Sequence, residues 1–448
     1  MAGLRPAGRR EAVLVVILLG AFGPYLYKTA GLRTDHLIIY GVGLWTMARF
    51  GIEPRLARLP ATLWVVVGCL VAATAWTLLV SVLVDSASTM EIVASAESYF
   101  QPVALIAGLA VLVAVGPWAD RRRRMFTAIA VICLLLTVNT AIAIASVFFD
   151  TWPLVRIFVR ETAATGTSVW ENAALNGRFS GVFDQPMEAG VAYSAGLAAW
   201  VYWVARLGRP TVRHLVLLGA LVIGGFLSVS KVFILGGLPL CLVYLAWTFR
   251  MKPSRIARYF LAGLVFVALF VPAAVWLMNR WSGQIFFLRL FDSDLISSQG
   301  LIALYSAGRF GAGPTTVSSL FSTTWAEAPL QGFGFAAFSP LDSAYIQFFY
   351  QGGMVALALY ALMLGALAVH AFRHRRVAPE ESRLLVVLLI LVLGAGIGAP
   401  ALTLNRASTI LWTLIVLAVC TSSAGRTAAR RRLQPAVGRG GTVTETDG

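Results

Sequence analysis

Residues 61–84 read ATLWVVVGCLVAATAWTLLVSVLV, an apolar run without a charged side chain. A hydrocarbon core about 30 Å thick needs roughly 20 apolar residues in a helix, so the run reads as a membrane span. Comparable runs recur on both sides of it. Twelve spans are expected, at roughly 12–28, 35–50, 61–84, 100–118, 125–149, 187–205, 212–228, 232–249, 257–278, 343–371, 384–399 and 406–423. The second and eleventh are short for the bilayer, which suggests tilted or partly re-entrant segments. The 448 residues are 58% hydrophobic and only 12% charged, with a mean hydropathy of +0.79. Such a composition excludes a soluble globular chain and indicates an all-α, polytopic membrane protein.

The formal net charge is +16. In a soluble protein that excess would suggest nucleic acid. Here the basic residues flank apolar runs, as Arg121–Arg124 do after the fourth span, so membrane topology accounts for them and no nucleic-acid partner is expected. Every second connection is basic, which places both termini in the cytoplasm. The intervening loop 85–99 holds Asp85, Glu91 and Glu97 and no basic residue. Arg5, Arg9 and Arg10 precede the first run without a convincing cleavage site, so that run is read as a retained signal-anchor. Cys69, Cys133, Cys241 and Cys420 all fall inside expected spans, which supports neither a disulfide nor a thiolate metal site. Residues 1–423 form one integral membrane domain in this reading, and 424–448 a disordered cytoplasmic tail. No connection is long enough for a soluble catalytic domain.

Two expected outer loops are long, about 150–186 and 279–342. Their Trp152, Trp170, Phe286, Phe287 and Trp325 argue against disorder. Residues 285–296 suggest an amphipathic interfacial helix. These loops carry Arg156, Arg160, Arg178, Arg280, Arg289 and Arg309. Positive charge is normally kept on the cytoplasmic side, so arginines grouped outside point to an anionic ligand.

Three stretches carry a family resemblance. The first is Arg178-Phe-Ser-Gly181-Val-Phe-Asp184-Gln185-Pro186. The second is Leu227-Ser228-Val-Ser230-Lys231. The third comprises Ser306-Ala-Gly-Arg309, Pro329-Leu-Gln-Gly332-Phe-Gly334, Asp342-Ser343-Ala-Tyr345 and Gly352-Gly353. Together, over about 178–360, they resemble the bacterial O-antigen polymerase and ligase family. The resemblance implies a glycosyltransferase in the cytoplasmic membrane, working on its outer face. Its donor would be a glycan on undecaprenyl pyrophosphate and its acceptor a hydroxyl. It also implies arginine in place of a metal, with no cofactor. Membrane lipids and a chain-length regulator protein are the further partners it brings to mind.

Within that resemblance Arg178 and Arg309 are candidates for the leaving pyrophosphate, a role favoured for Arg178 over interfacial snorkelling because its Arg-Phe-Ser-Gly stretch matches the family. Asp342 is the candidate base, and an N-cap for span ten is equally consistent. Arg156 and Arg160, four apart, are expected to share a helix face as a phosphate clamp, or to pair with Glu161. Glu188 is an intramembrane acid, functional by default, or a partner of a neighbouring helix. Lys231 stands where the family usually has arginine and keeps only the charge. Arg280 and Arg289 suit lipid headgroups, with Arg289 a further substrate contact, and Tyr345 belongs to the same substrate-binding set. Ser228 and Lys231 also match a Ser-x-x-Lys pattern, but its companion motifs are missing. Gly332 and Gly334 suggest a tight turn. His36, His214, His370 and His374 all lie outside the long loops, whereas ligases of the family usually carry a histidine near the position of Asp342. A polymerase is therefore favoured over a ligase. A lipid-linked sugar transporter is the rival from another class, disfavoured because the expected spans are almost free of charge.

Overall fold

The structure is a computed structural model describing residues 8–28, 31–50, 59–84, 89–114, 118–160, 168–208, 210–249, 316–335 and 343–433. Among these the chain is mostly helical. It begins with α1 (Arg9–Ala21), a hairpin of β1 (Tyr25–Tyr27) and β2 (Leu32–Arg33), and α2 (Thr34–Phe50). Then come α3 (Ala61–Val84), α4 (Thr89–Ala114), α5 (Trp118–Phe148) and the short α6 (Trp152–Val155) and α7 (Val169–Leu175). Next are α8 (Pro186–Leu207), α9 (Val212–Leu227), a π-helical turn Val232–Gly237 and α10 (Leu238–Phe249). The last are α11 (Thr316–Glu327), α12 (Ala344–His374), α13 (Pro379–Ala395) and α14 (Asn405–Leu433). Six helices among the described residues are long and apolar enough to cross a membrane: Ala61–Val84, Ser95–Val113, Trp118–Phe148, Val232–Phe249, Ala344–His374 and Arg406–Gly425.

These six differ in how much protein surrounds them. In α3 only 39% of the apolar window is buried, as suits a helix with one flank toward lipid. In α14 the figure is 89%, which makes it the central post. It packs against α1, α4, α5, α8, α12 and α13. Its Trp412 is fully buried and donates Nε1–H to Leu402 O at 3.0 Å.

Several boundaries differ from the sequence expectation. The first apolar run was expected to 28, but α1 stops at Ala21 and the chain turns back as a hairpin, with Thr34 N donating to Pro24 O. The apolar Tyr25, Leu26 and Tyr27 imitate helix by composition alone. The expected loop 85–99 is helical from Thr89 onward. The helix expected from 232 opens as a π-turn, and α14 continues to Leu433, past the expected tail boundary at 424. The expected span 257–278 and the interfacial helix at 285–296 lie outside the described residues.

The tenth apolar run, expected as one helix, is broken. Gly352 (φ −129°, ψ 15°) and Gly353 (φ 63°, ψ −160°) leave helical geometry inside α12. A break frees backbone polar groups, which must find partners where water is excluded. The segment Pro329–Gly334 supplies them. Phe333 N donates to Tyr350 O at 2.8 Å, Gly334 N to Gln351 O at 2.8 Å, and Met354 N to Pro329 O at 2.8 Å. From α3, Trp76 Nε1 donates to Gly352 O at 3.0 Å. A Cβ on Gly353 would stand 2.2 Å from Leu330 O. The Gly332–Gly334 turn and the Gly352-Gly353 pair are thus two halves of one backbone junction. Gly353→Ala should destabilise by about 1–3 kcal/mol, from both the left-handed φ and the clash. Gly365→Ala, in the same helix with open space around its Cβ, should be neutral or mildly stabilising. Thermal melting of the detergent-solubilised protein reads the difference; equal melting temperatures would refute the junction.

Candidate functional site

The first long connection has its own small core. Val155, Val159 and Trp170 are buried together, and Trp152 stacks on Trp170 with ring centroids 5.5 Å apart. Ser168 and Glu171 form a reciprocal capping box at the start of α7. Gly177 (φ 66°) ends that helix, letting Arg178 N reach Ala173 O at 2.9 Å. The chain then plunges inward, and Phe179, Ser180, Val182, Phe183 and Asp184 are all buried.

What receives this stretch is Asn139, buried in the middle of α5. Its Nδ2 donates to Ser180 O at 3.1 Å and Tyr193 OH at 2.9 Å, while its Oδ1 accepts from Val182 N at 2.7 Å. One amide thereby satisfies loop backbone that no water reaches. Gly181 (φ 65°) permits the approach, since a Cβ there would lie 2.2 Å from Asn139 Oδ1. Phe179 N also donates to Leu227 O at 2.9 Å, which joins the first motif stretch to the second.

Below the loop lies a cluster of buried charge, at the end of the bundle where the hairpin sits. Glu188, in the first turn of α8, accepts from Asp184 N at 3.1 Å and from Arg406 N at 2.7 Å. Asp184 accepts from the Tyr25 hydroxyl and, at 3.0 Å, from Arg160 N. Arg406 is fully buried at the start of α14. Its NH2 group donates to Phe158 O at 2.7 Å and to Gly23 O at 3.1 Å, and its NH1 group stands 3.7 Å from Asp184 Oδ2. Beside it, Arg33 donates from Nε to Asp35 Oδ1 at 2.9 Å and from NH2 to His36 Nε2 at 3.0 Å. Gln101 holds Asp35 Oδ2 at 3.1 Å. Burial and the Asp184 carboxylate push the Tyr25 phenol well above its ordinary value. Burial works to lower the Arg33 pKa, but Asp35, Tyr25, Glu188 and Asp184 together outweigh it, and the guanidinium is held above its ordinary value.

The buried charge lies beneath the loop, and the loop presents its own arginines outward. Arg156 and Arg160 are both exposed. They do not share a helix face: α6 ends at Val155, a single 3-10 turn covers Arg156–Phe158, and Arg160 follows in extended chain. Phe158, between them, is the residue whose carbonyl Arg406 grips. The Arg160 guanidinium folds over the hairpin turn, 3.6 Å from where a Cβ on Gly31 would be. Arg178 is half-buried at the head of the inward stretch, and Lys231 half-buried at the head of the π-turn. Each exposed guanidinium is a planar donor fork of the kind that suits phosphate oxygen.

Glu188 proves to be a partner of a neighbouring helix through Arg406 N. Tyr345 turns to α13, where its hydroxyl donates to Leu393 O at 2.7 Å. The N-cap position of α12 is Ser343, whose Oγ donates to Gly396 O at 2.9 Å. Arg280, Arg289, Arg309, Asp342 and Glu161 lie outside the described residues. Sequence reasoning passed over Arg33, Arg406, Tyr25 and Asn139 as functional residues. For Arg406 a signal existed, a charge just inside an apolar run. Asp35, Glu188 and Arg406, at the edges of expected spans, are the exceptions to spans that are almost free of charge, and all three are buried. No group of three or more potential metal ligands occurs among the described residues. Neither a protein-family model nor a curated protein matches this chain.

Asn139→Leu should destabilise by about 1–3 kcal/mol, since it strands Ser180 O and Val182 N in the interior. Limited proteolysis of the 150–186 connection checks it; unchanged cleavage in Asn139→Leu would contradict the loop's dependence on that amide.

Proposed function

We propose that the chain is a twelve-pass glycosyltransferase of the bacterial cytoplasmic membrane with both termini in the cytoplasm. In this reading it polymerises polyprenyl-pyrophosphate-linked oligosaccharide repeats on the outer face. The carrying observation is the pair of exposed arginines, Arg156 and Arg160, on a loop anchored by Arg406 and Asp184. The resemblance of the three motif stretches supports the reading. So does their pairing, Phe179 with Leu227 and Phe333 with Tyr350.

The chemistry follows from the donor. The acceptor hydroxyl oxygen attacks the anomeric carbon with inversion, and the bond from that carbon to the pyrophosphate oxygen breaks. Polyprenyl pyrophosphate departs with the electron pair, and Asp342 takes the hydroxyl proton. Arg178 and Arg309 neutralise the leaving group, with Arg156, Arg160, Lys231 and Arg289 along the donor's anionic path. Arginine fills the part a divalent metal takes elsewhere, so bond formation should persist in EDTA. A ligase acting on a different acceptor is the near alternative, and the lack of a histidine close to Asp342 favours the polymerase.

A second reading draws support from two observations. The buried cluster of Arg33, Asp35, Glu188 and Arg406 and the helix broken at Gly352-Gly353 are features that membrane transporters also use. A transporter would move lipid-linked sugar without making a bond. Arg160→Ala, Arg178→Ala and Arg309→Ala in cells should each reduce surface glycan from long chains to single repeats, with the protein still present in the membrane. Losing one preorganised charge contact of this kind costs about 10²–10³ in rate. Long chains at normal abundance in all three variants, read on gels of extracted glycan, would remove the arginine site.

A further inference from the structure

The fully buried Arg406 cannot meet a ligand, yet five residues from three separate stretches of chain converge on it. Its NH2 group bonds Gly23 O at the end of α1 and Phe158 O in the arginine loop. Its NH1 group faces Asp184, and its guanidinium carbon lies 5.4 Å over the Tyr25 ring of the hairpin. Its own backbone N–H is held by Glu188 of α8. A buried guanidinium is costly to desolvate, and neither Nε nor NH1 has a hydrogen-bond partner, the NH1–Asp184 contact being electrostatic only. Packing alone at this place would be met more cheaply by an apolar residue. The charge is of use where a carbonyl of a surface loop has to be gripped from inside the bundle.

We infer that Arg406 is a positioning residue, a latch that fixes the Arg156–Arg160 loop to the central helix α14 and so sets the geometry in which the two exposed arginines meet an anionic ligand. Asp184 is the second jaw, since it faces the Arg406 guanidinium and accepts from Arg160 N. The latch needs the planar guanidinium. One nitrogen reaches two carbonyls while the other faces a carboxylate, an arrangement that the single ammonium of lysine reproduces only in part. That the ligand is a lipid-linked pyrophosphate rests on the function proposed above; the latch itself does not.

The test separates the two. Val159, next to the gripped carbonyl, is 1% exposed, and Cys69, Cys133, Cys241 and Cys420 are buried elsewhere. In the full-length, detergent-purified protein, Val159→Cys should react slowly with a maleimide, because labelling requires the loop to open. Adding Arg406→Gln should raise that rate by about tenfold or more, Arg406→Lys by less, with the four native cysteines staying slow. If Arg406→Gln leaves the labelling rate of Val159→Cys unchanged, the latch is overturned. A parallel rise at the native cysteines overturns it too, because Arg406 would then only hold the whole fold together. The functional arm uses the lipid-linked repeat as donor. Arg406→Gln should raise donor KM several-fold with a smaller change in kcat, and Arg406→Lys by less. Opening of the loop with donor kinetics unaffected would leave the latch standing and defeat the assignment of the ligand.

Discussion

A guanidinium sealed from water has to be answered by oxygen, and at Arg406 the oxygens come from parts of the chain far apart in sequence. Gly23, Phe158 and Asp184 all turn toward it, and Glu188 holds its backbone. This one requirement couples the hairpin, the first long connection, α8 and the central helix. The same constraint acts along the backbone. Where α12 breaks, the freed groups are taken up by Pro329–Gly334, and where the 178–184 stretch enters the bundle, Asn139 takes them. In an apolar medium every departure from helix needs such an internal partner. At the 329–334 and 350–354 junction the partner is a second departure; at 178–184 it is a side chain of an intact helix.

The consequence for function is a division of labour between buried and exposed charge. Arg33 and Arg406 are locked in carboxylate and carbonyl contacts and stabilise the frame. Arg156 and Arg160 ride on that frame and stay exposed, Arg160 against the hairpin. A flexible loop would spend much of its binding energy on ordering itself, whereas an anchored one presents its charge preorganised. That preorganisation would suit the proposed enzyme with its charged leaving group, and it would equally suit a transporter's binding site.

Much of the helical plan was legible, because an apolar run such as 61–84 leaves few alternatives and α3 spans those residues. The misreadings have physical causes. Hydropathy cannot tell the strand Tyr25–Tyr27 from one more helical turn. A spacing of four suggested a shared face for Arg156 and Arg160, but Pro153 starts a helix that ends before either. The glycine pairs at 332/334 and 352/353 were noticed as motifs, yet only the fold reveals that each makes room for the other. Arg406 stands out in sequence only as a charge at the edge of an apolar run and Asn139 not at all, because a single polar residue has no period and its partners are far away in sequence.

The central claim is that this bundle makes a glycosidic bond from a lipid-linked donor. The most direct test is the purified protein in liposomes, supplied with one defined polyprenyl-pyrophosphate-linked repeat and EDTA, with products sized by mass spectrometry. The account predicts lipid-linked dimers and longer oligomers together with released polyprenyl pyrophosphate. Donor that crosses the bilayer or stays in place, with no new glycosidic bond, would contradict it.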